Sequence, residues 1–241
     1  MSPTLHRPPR RTLLATLFVA LLASCGALGC EAAPAPKPAP APKPVALGRA
    51  LILMHGRGAA ADDLQPLADE LAKVAPQVKF ILPAGPLPFG RGLAWYPRAS
   101  EVSPADFEQA RARARSLVMH VVEQQRAEGF RDAQIYVGGF SQGASVATDV
   151  TLSPEGTKLG GLVSLSGGVF DIDLTALQRR AQLRAFVSHG TADTVLDSAR
   201  SEQLVAALEQ NQHPVRFVHF EGGHTIPPTV RQQLGAFLTA D

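Results

Sequence analysis

Between residues 45 and 241, short apolar and β-branched runs recur at 50–54, 78–82, 135–139, 161–166, 184–188 and 216–221. Each run is continuous rather than alternating, the pattern of strands buried on both faces. Stretches with helical start and stop signals lie between them. Asp62 and Gln65 have the Asp-x-x-Gln spacing of a capping box, which predicts a helix opening at Asp62. Ser103, Pro104 and Asp106 predict another, with proline in its first turn, running to Glu128 and stopping at Gly129. Further helices are expected over 143–152, 197–210 and 228–238. Repeated strand–helix alternation predicts an α/β fold, a mainly parallel sheet with helices on both faces.

The first 44 residues follow neither period. A basic stretch with Arg7, Arg10 and Arg11 precedes the apolar run at 12–23, the pattern of an export signal over residues 1–24. The run ends in Leu22-Ala23-Ser24-Cys25, which resembles the lipobox of bacterial lipoproteins and makes Cys25 the candidate lipidated N-terminus. A simple signal peptide cleaved nearby and an uncleaved anchor are the other readings of the same run. Gly26, rather than Asp, after the cysteine points to the outer membrane in a cell with two membranes. Residues 31–44 alternate proline with Ala and Lys, so a helix is forbidden and an extended spacer is expected. The organisation expected is thus signal (1–24), tether (25–44) and one domain (45–241), held on the outer side of a membrane through an N-terminal lipid.

Composition narrows the chemistry. The 241 residues are 45% hydrophobic and 18% charged, an ordinary globular balance. The formal charge of +2 comes from the leader: taking its three arginines from the 23 basic residues leaves 20 against 21 acidic ones. No basic surface for nucleic acid is implied. Both cysteines, Cys25 and Cys30, precede the domain, which therefore has no internal disulfide, thiolate nucleophile or cysteine metal ligand. Gly-x-Gly-x-x-Gly, phosphate-loop and His-Glu-x-x-His motifs are also missing from the sequence, so no cofactor or metal is expected.

In a parallel sheet the reactive groups lie beyond the carboxyl ends of the strands. The run at 135–139 leads into Gly139-Phe140-Ser141-Gln142-Gly143, the Gly-x-Ser-x-Gly pattern of a nucleophile elbow. Its sharp turn exposes the serine at a helix N-terminus, where backbone N–H groups favour developing negative charge. After 184–188 comes His189-Gly190-Thr191-Ala192-Asp193, and Asp193 is the candidate acid. Asp197, just before Ser198, is better placed to cap the next helix. After 216–220, Glu221-Gly222-Gly223-His224 brings a histidine into the last loop. Three of the seven histidines follow Asp193 in the order Ser, acid, His expected of this architecture; His213 falls just after a helix and His219 within a strand, which leaves His224 as the one in a loop past a strand end. His55 and His189, each before a glycine at a strand end, read as hydrogen-bonded structural residues. The first strand ends in His55-Gly56-Arg57-Gly58, so the N–H groups of Arg57 and Gln142 are the candidate oxyanion hole.

These residues resemble a known family. LMHGRG at 53–58, ILPAGP at 81–86, WY at 95–96, GGFSQGA at 138–144, LSGG at 165–168, HGTAD at 189–193 and GGHTIP at 222–227 together look like the phospholipase/carboxylesterase family of α/β-hydrolases, which includes acyl-protein thioesterases. The resemblance spans nearly all of 45–241. It implies Ser141 as nucleophile, Asp193 as acid, His224 as base and Trp95 in the substrate cleft. Arg57 stands where eukaryotic thioesterases of the family usually carry an apolar residue, and the export signal takes this chain away from cytoplasmic S-acylated proteins.

The implied reaction is two-step acyl transfer from a small-molecule ester, without metal or cofactor. A carboxylesterase for small or medium acyl chains is the first reading. A lysophospholipase or polyester depolymerase at the cell surface suits the tether. A catalytically silent binding protein on the same fold is the third, against which an intact triad speaks. The loop over 83–103 has no readable conformation.

Overall fold

The computed structural model describes residues 48–169, 177–178 and 180–240. The expected export signal, the candidate lipidation site Cys25 and the expected tether lie outside the described residues.

Six strands form the main sheet: β1 (Arg49–Met54), β2 (Val78–Ile81), β5 (Ile135–Phe140), β6 (Gly161–Leu165), β7 (Arg184–Gly190) and β8 (Val215–Phe220). Their order is β2-β1-β5-β6-β7-β8, and every pairing is parallel. The other two strands, β3 (Leu87–Phe89) and β4 (Gly92–Ala94), make a separate antiparallel hairpin. The helices are α1 (Gln65–Val74), α2 (Pro104–Ala127), α3 (Gln142–Leu152), α4 (Ala199–Gln210) and α5 (Pro228–Thr239).

The central strands are buried on both sides, as their unbroken apolar runs require. Along β1, Ala50, Ile52 and Met54 pack with residues of α2, α3 and α4, whereas Leu51 and Leu53 pack with residues of α1 and α5. Burying each Leu or Ile side chain here stabilises the fold by about 1.5–3 kcal/mol. Two helical layers thus sandwich one sheet.

The start of α2 is as the sequence specifies: Ser103 Oγ accepts from the Asp106 N–H at 3.2 Å, and Gly129 follows the helix with φ +99°. The expected capping box at Asp62 is not formed. Residues 61–64 are in turns, α1 starts at Gln65, and the Gln65 amide donates forward to Asp69 Oδ1 (2.7 Å). The carboxylate one turn into α1 offers Gln65 a partner without reaching back.

The chain runs from β1 to β2 on one side and returns to β5 on the other, so the strand order reverses between β1 and β5. A crevice opens beyond the carboxyl ends of two such strands because their connections leave in opposite directions.

Candidate active site

Ser141 sits where β5 passes into α3. Its backbone is held at φ 56° and ψ −118°, a conformation costly for a residue with a side chain. The Ser141 N–H donates to Leu165 O (2.9 Å), and Ser141 O accepts from the Ser145 N–H (3.1 Å). The two glycines of the motif have a steric cause. A Cβ at Gly143 would lie 2.2 Å from Met54 O, and one at Gly139 would lie 2.5 Å from the Gly143 carbonyl carbon. Strand β1, the elbow and the first turn of α3 therefore approach one another only if both positions lack a side chain.

The loops after β7 and β8 are tied together. Thr191 N–H donates to Phe220 O (2.8 Å) and Ala192 N–H to Gly222 O (2.9 Å). This brings Asp193 to His224, whose Nδ1 lies 2.6 Å from Asp193 Oδ2. Asp193 Oδ1 accepts from the N–H groups of Val195 (2.8 Å) and Leu196 (3.0 Å). Its side chain is sealed from solvent, while that of His224 is 15% exposed. Burial works against ionisation of Asp193, but the Leu196 N–H, the His224 imidazole and the Val195 N–H outweigh it and hold its carboxyl below the usual carboxylate range. An ionised carboxylate only accepts, so the shared proton sits on Nδ1 and leaves Nε2 of His224 with a lone pair. The ring packs against Phe140, centroid to centroid 4.7 Å.

Ser141 and His224 line one cleft of about 430 Å³ together with Arg57 and Gln142. Phe89, Tyr96, Pro97, Phe107, Val195 and Leu196 give it apolar walls. Among the described residues, the N–H groups of Arg57 and Gln142 have no backbone acceptor. They remain available to a developing oxyanion. The Gln142 side chain is engaged elsewhere: Oε1 accepts from the Trp95 N–H (2.9 Å) and Nε2 donates to Tyr96 O (2.7 Å). Arg57 folds over the Phe89 ring, 4.0 Å to its centroid, and its Nη2 reaches both carboxylate oxygens of Glu101 (2.8 and 3.0 Å).

Trp95 does not line the cleft. It is completely buried, its Nε1–H donates to His55 O (2.9 Å), and Tyr96 and Pro97 take the cleft position instead. An indole with its one donor satisfied inside gains more from full burial than from a wet cleft. His55 is structural: its Nδ1 lies 2.8 Å from Gly56 O and its Nε2 accepts from the Gly85 N–H (3.0 Å). Asp197 Oδ1 accepts from the Ala199 N–H at the start of α4 (3.0 Å). Among the described residues, no three His, Cys, Asp or Glu side chains gather as metal ligands.

The cleft walls escaped the sequence reading. The hairpin that supplies Phe89 was hidden in the loop over 83–103, where Gly90 and Gly92 around Arg91 were its one turn signal. Glu101 gave no sign of its pairing with Arg57, 44 positions away.

Comparison with known proteins places the chain. The sequence profile of the phospholipase/carboxylesterase family matches residues 42–240. Acyl-protein thioesterase 1 of Eremothecium gossypii is 28% identical over 209 residues, covering 80% of this chain and 87% of that protein. The protein of the same name from Yarrowia lipolytica is 31% identical over 159 residues, 61% of this chain and 70% of the other. Among solved structures, esterase PE8 superposes with a TM-score of 0.67 at 25% identity, over 80% of this chain and 92% of that one. Sheet order, elbow and sequence agree, and the chain belongs to the phospholipase/carboxylesterase family of α/β-hydrolases.

Proposed function

We propose that the protein hydrolyses carboxylic esters of small or medium acyl chains through an acyl-enzyme on Ser141. His224 takes the serine proton at Nε2 as Oγ attacks the ester carbonyl. Asp193 keeps the imidazole in the required tautomer and stabilises its protonated form. The N–H groups of Arg57 and Gln142 receive the oxyanion, the alcohol leaves with the proton from His224, and water then releases the acid by the same steps. The reading is carried by the 2.6 Å contact of His224 Nδ1 with Asp193 Oδ2 beside a strained serine that shares the cleft with His224. The base works as neutral imidazole, so turnover falls in acid.

A fluorophosphonate probe tests the nucleophile: the wild type is labelled covalently and Ser141→Ala is not. Equal labelling of both would remove Ser141 from the mechanism. A panel of short-acyl, long-acyl, aromatic and lysophospholipid esters then fixes the substrate class.

We further propose that residues 1–44 export the domain and tether it to a membrane through a lipid on Cys25. The support is the sequence pattern alone. Metabolic labelling with a fatty acid should mark the wild type and leave Cys25→Ser unmarked.

A further inference from the structure

The proposed proton transfer leaves one buried imidazole beside the acid without a task. His189 is completely buried near the end of β7. Its Nδ1 lies 2.7 Å from Ser201 Oγ on α4. Its Nε2 lies 3.0 Å from Leu196 O and 3.2 Å from Asp193 Oδ2, the oxygen that meets His224. A carbonyl and a carboxylate offer only lone pairs, so Nε2 carries the hydrogen and donates to Leu196 O. In the neutral ring Nδ1 then bears the lone pair, and the Ser201 hydroxyl, which also lies 3.3 Å from Gly167 O, donates to Nδ1 over the shorter contact. The opposite tautomer would set a lone pair against two oxygens between side chains sealed from solvent.

Leu196 is thus held at both of its peptide groups. His189 takes its carbonyl, and Asp193 Oδ1 accepts from its N–H at 3.0 Å. Burial opposes the ionised form of Asp193, and the Leu196 N–H is one of the contacts, with His224 and the Val195 N–H, that overcome it. Moving Leu196 would turn the carboxylate about its own axis and carry Oδ2 away from His224.

We propose that His189 is a positioning residue for the acid of this site. Held in one tautomer by Ser201, it fixes Leu196 and through it the carboxylate orientation from which Asp193 Oδ2 meets His224 Nδ1. The inference rests on the reading of Ser141, Asp193 and His224 as the reacting groups.

The test compares His189→Ala, His189→Gln and Ser201→Ala with wild type by ester kinetics and by the low-field proton resonance of the His224 Nδ1–H. Misplacing a reacting group by about 1 Å costs on the order of a hundredfold, so kcat of His189→Ala should fall by about that factor. Its low-field resonance should broaden or move upfield as the contact to Asp193 lengthens. The Gln amide can donate to Leu196 O and should restore most of the loss. Ser201→Ala, which removes only a hydroxyl, should lose up to about tenfold in kcat. If His189→Ala keeps kcat and the resonance unchanged while folded, the proposal fails. If it does not fold, Ser201→Ala decides by the same two measurements. A wild type that resists the fluorophosphonate would instead sink the triad reading, whereas a labelled wild type matched in rate by His189→Ala would sink this one alone.

Discussion

The backbone N–H of Trp95 donates to the side chain of Gln142, the residue that follows the candidate nucleophile. Gln142 in turn donates to the carbonyl of Tyr96. One amide thereby brackets the segment behind the β3–β4 hairpin against the first turn of α3, while the Gln142 N–H has no backbone acceptor among the described residues. Gln142→Ala strands a buried N–H and a buried carbonyl, each of which costs about 1–3 kcal/mol when unsatisfied. Urea unfolding should show a loss within that range, and kcat should fall with it because the wall at Tyr96 and Pro97 loosens. A variant with wild-type stability would show that water replaces the bracket.

Ser141 predicts an inversion of the usual ranking of glycine and alanine. Glycine in a rigid segment normally costs about 0.5–1 kcal/mol relative to alanine. The φ of 56° and ψ of −118° at Ser141 store about 1–3 kcal/mol for any residue with a Cβ. Ser141→Gly should therefore unfold at a higher temperature than Ser141→Ala, although the proposed mechanism leaves neither with a nucleophile. Calorimetry on the two variants reads this directly, and equal or reversed melting temperatures would mean that the elbow carries no strain.

Asp193 separates catalysis from structure. In Asp193→Asn the amide oxygen can still accept from Val195 and Leu196 N–H, so the loop is preserved. The amide nitrogen, however, faces His224 with a donor and favours the wrong tautomer. The fall in kcat expected for that error is on the order of 10⁴. Stopped-flow acylation with a chromogenic short ester measures it, and a loss below about tenfold would remove Asp193 from proton transfer.

The same carboxylate gives a pH dependence of stability with a definite sign. Burial raises the Asp193 pKa, yet its hydrogen bonds and His224 leave it below the ordinary value, and Glu101 is lowered by the Arg98 N–H and by Arg57. A depressed native pKa means that the unfolded chain binds the proton first. The stabilisation is complete above the unfolded carboxylate range of about 3.9–4.3 and is lost as pH falls below it toward the native values. Unfolding free energies measured from pH 6 down to pH 3 should drop more steeply for wild type than for Asp193→Asn. Parallel curves would contradict the lowered Asp193 pKa.

What the sequence disclosed depended on how local the causes were. The runs in β1 and β5 and the Ser103–Asp106 cap are fixed by neighbouring residues and were legible. Ser141, Asp193 and His224 could be singled out as candidates because each follows a readable strand. The β3–β4 hairpin was not, because its strands have three residues each and Pro88 lies in one of them. Its place is set by long-range bonds, Gly58 N–H to Leu93 O (2.7 Å) and Leu93 N–H to Ala59 O (2.9 Å). Trp95 turned inward for a similar reason: its partners, His55 and Gln142, lie more than thirty-five positions away on either side.

Arg57 makes the last prediction, on selectivity. Its backbone N–H is the proposed oxyanion donor, while its side chain covers Phe89 and pairs with a Glu101 carboxylate that is 42% exposed. With its carboxylate this exposed, the pair is screened by solvent and adds little to stability. Nε and Nη1 of Arg57 are buried with no acceptor among the described residues, a burden that Arg57→Leu would remove. Stability should therefore change little. Losing an oxyanion donor costs about 10²–10³ in kcat, so a short ester whose kcat falls by less than about tenfold in Arg57→Leu would assign the oxyanion contact to the backbone. Leucine also adds apolar wall, and each further methylene buried against it is worth about 0.8 kcal/mol, or roughly fourfold in kcat/KM. An acyl series from acetate to decanoate should shift toward longer chains in the variant. An unchanged series would show that Arg57 does not border the acyl group, and loss of the short ester at the 10²–10³ level would make the guanidinium itself the oxyanion donor.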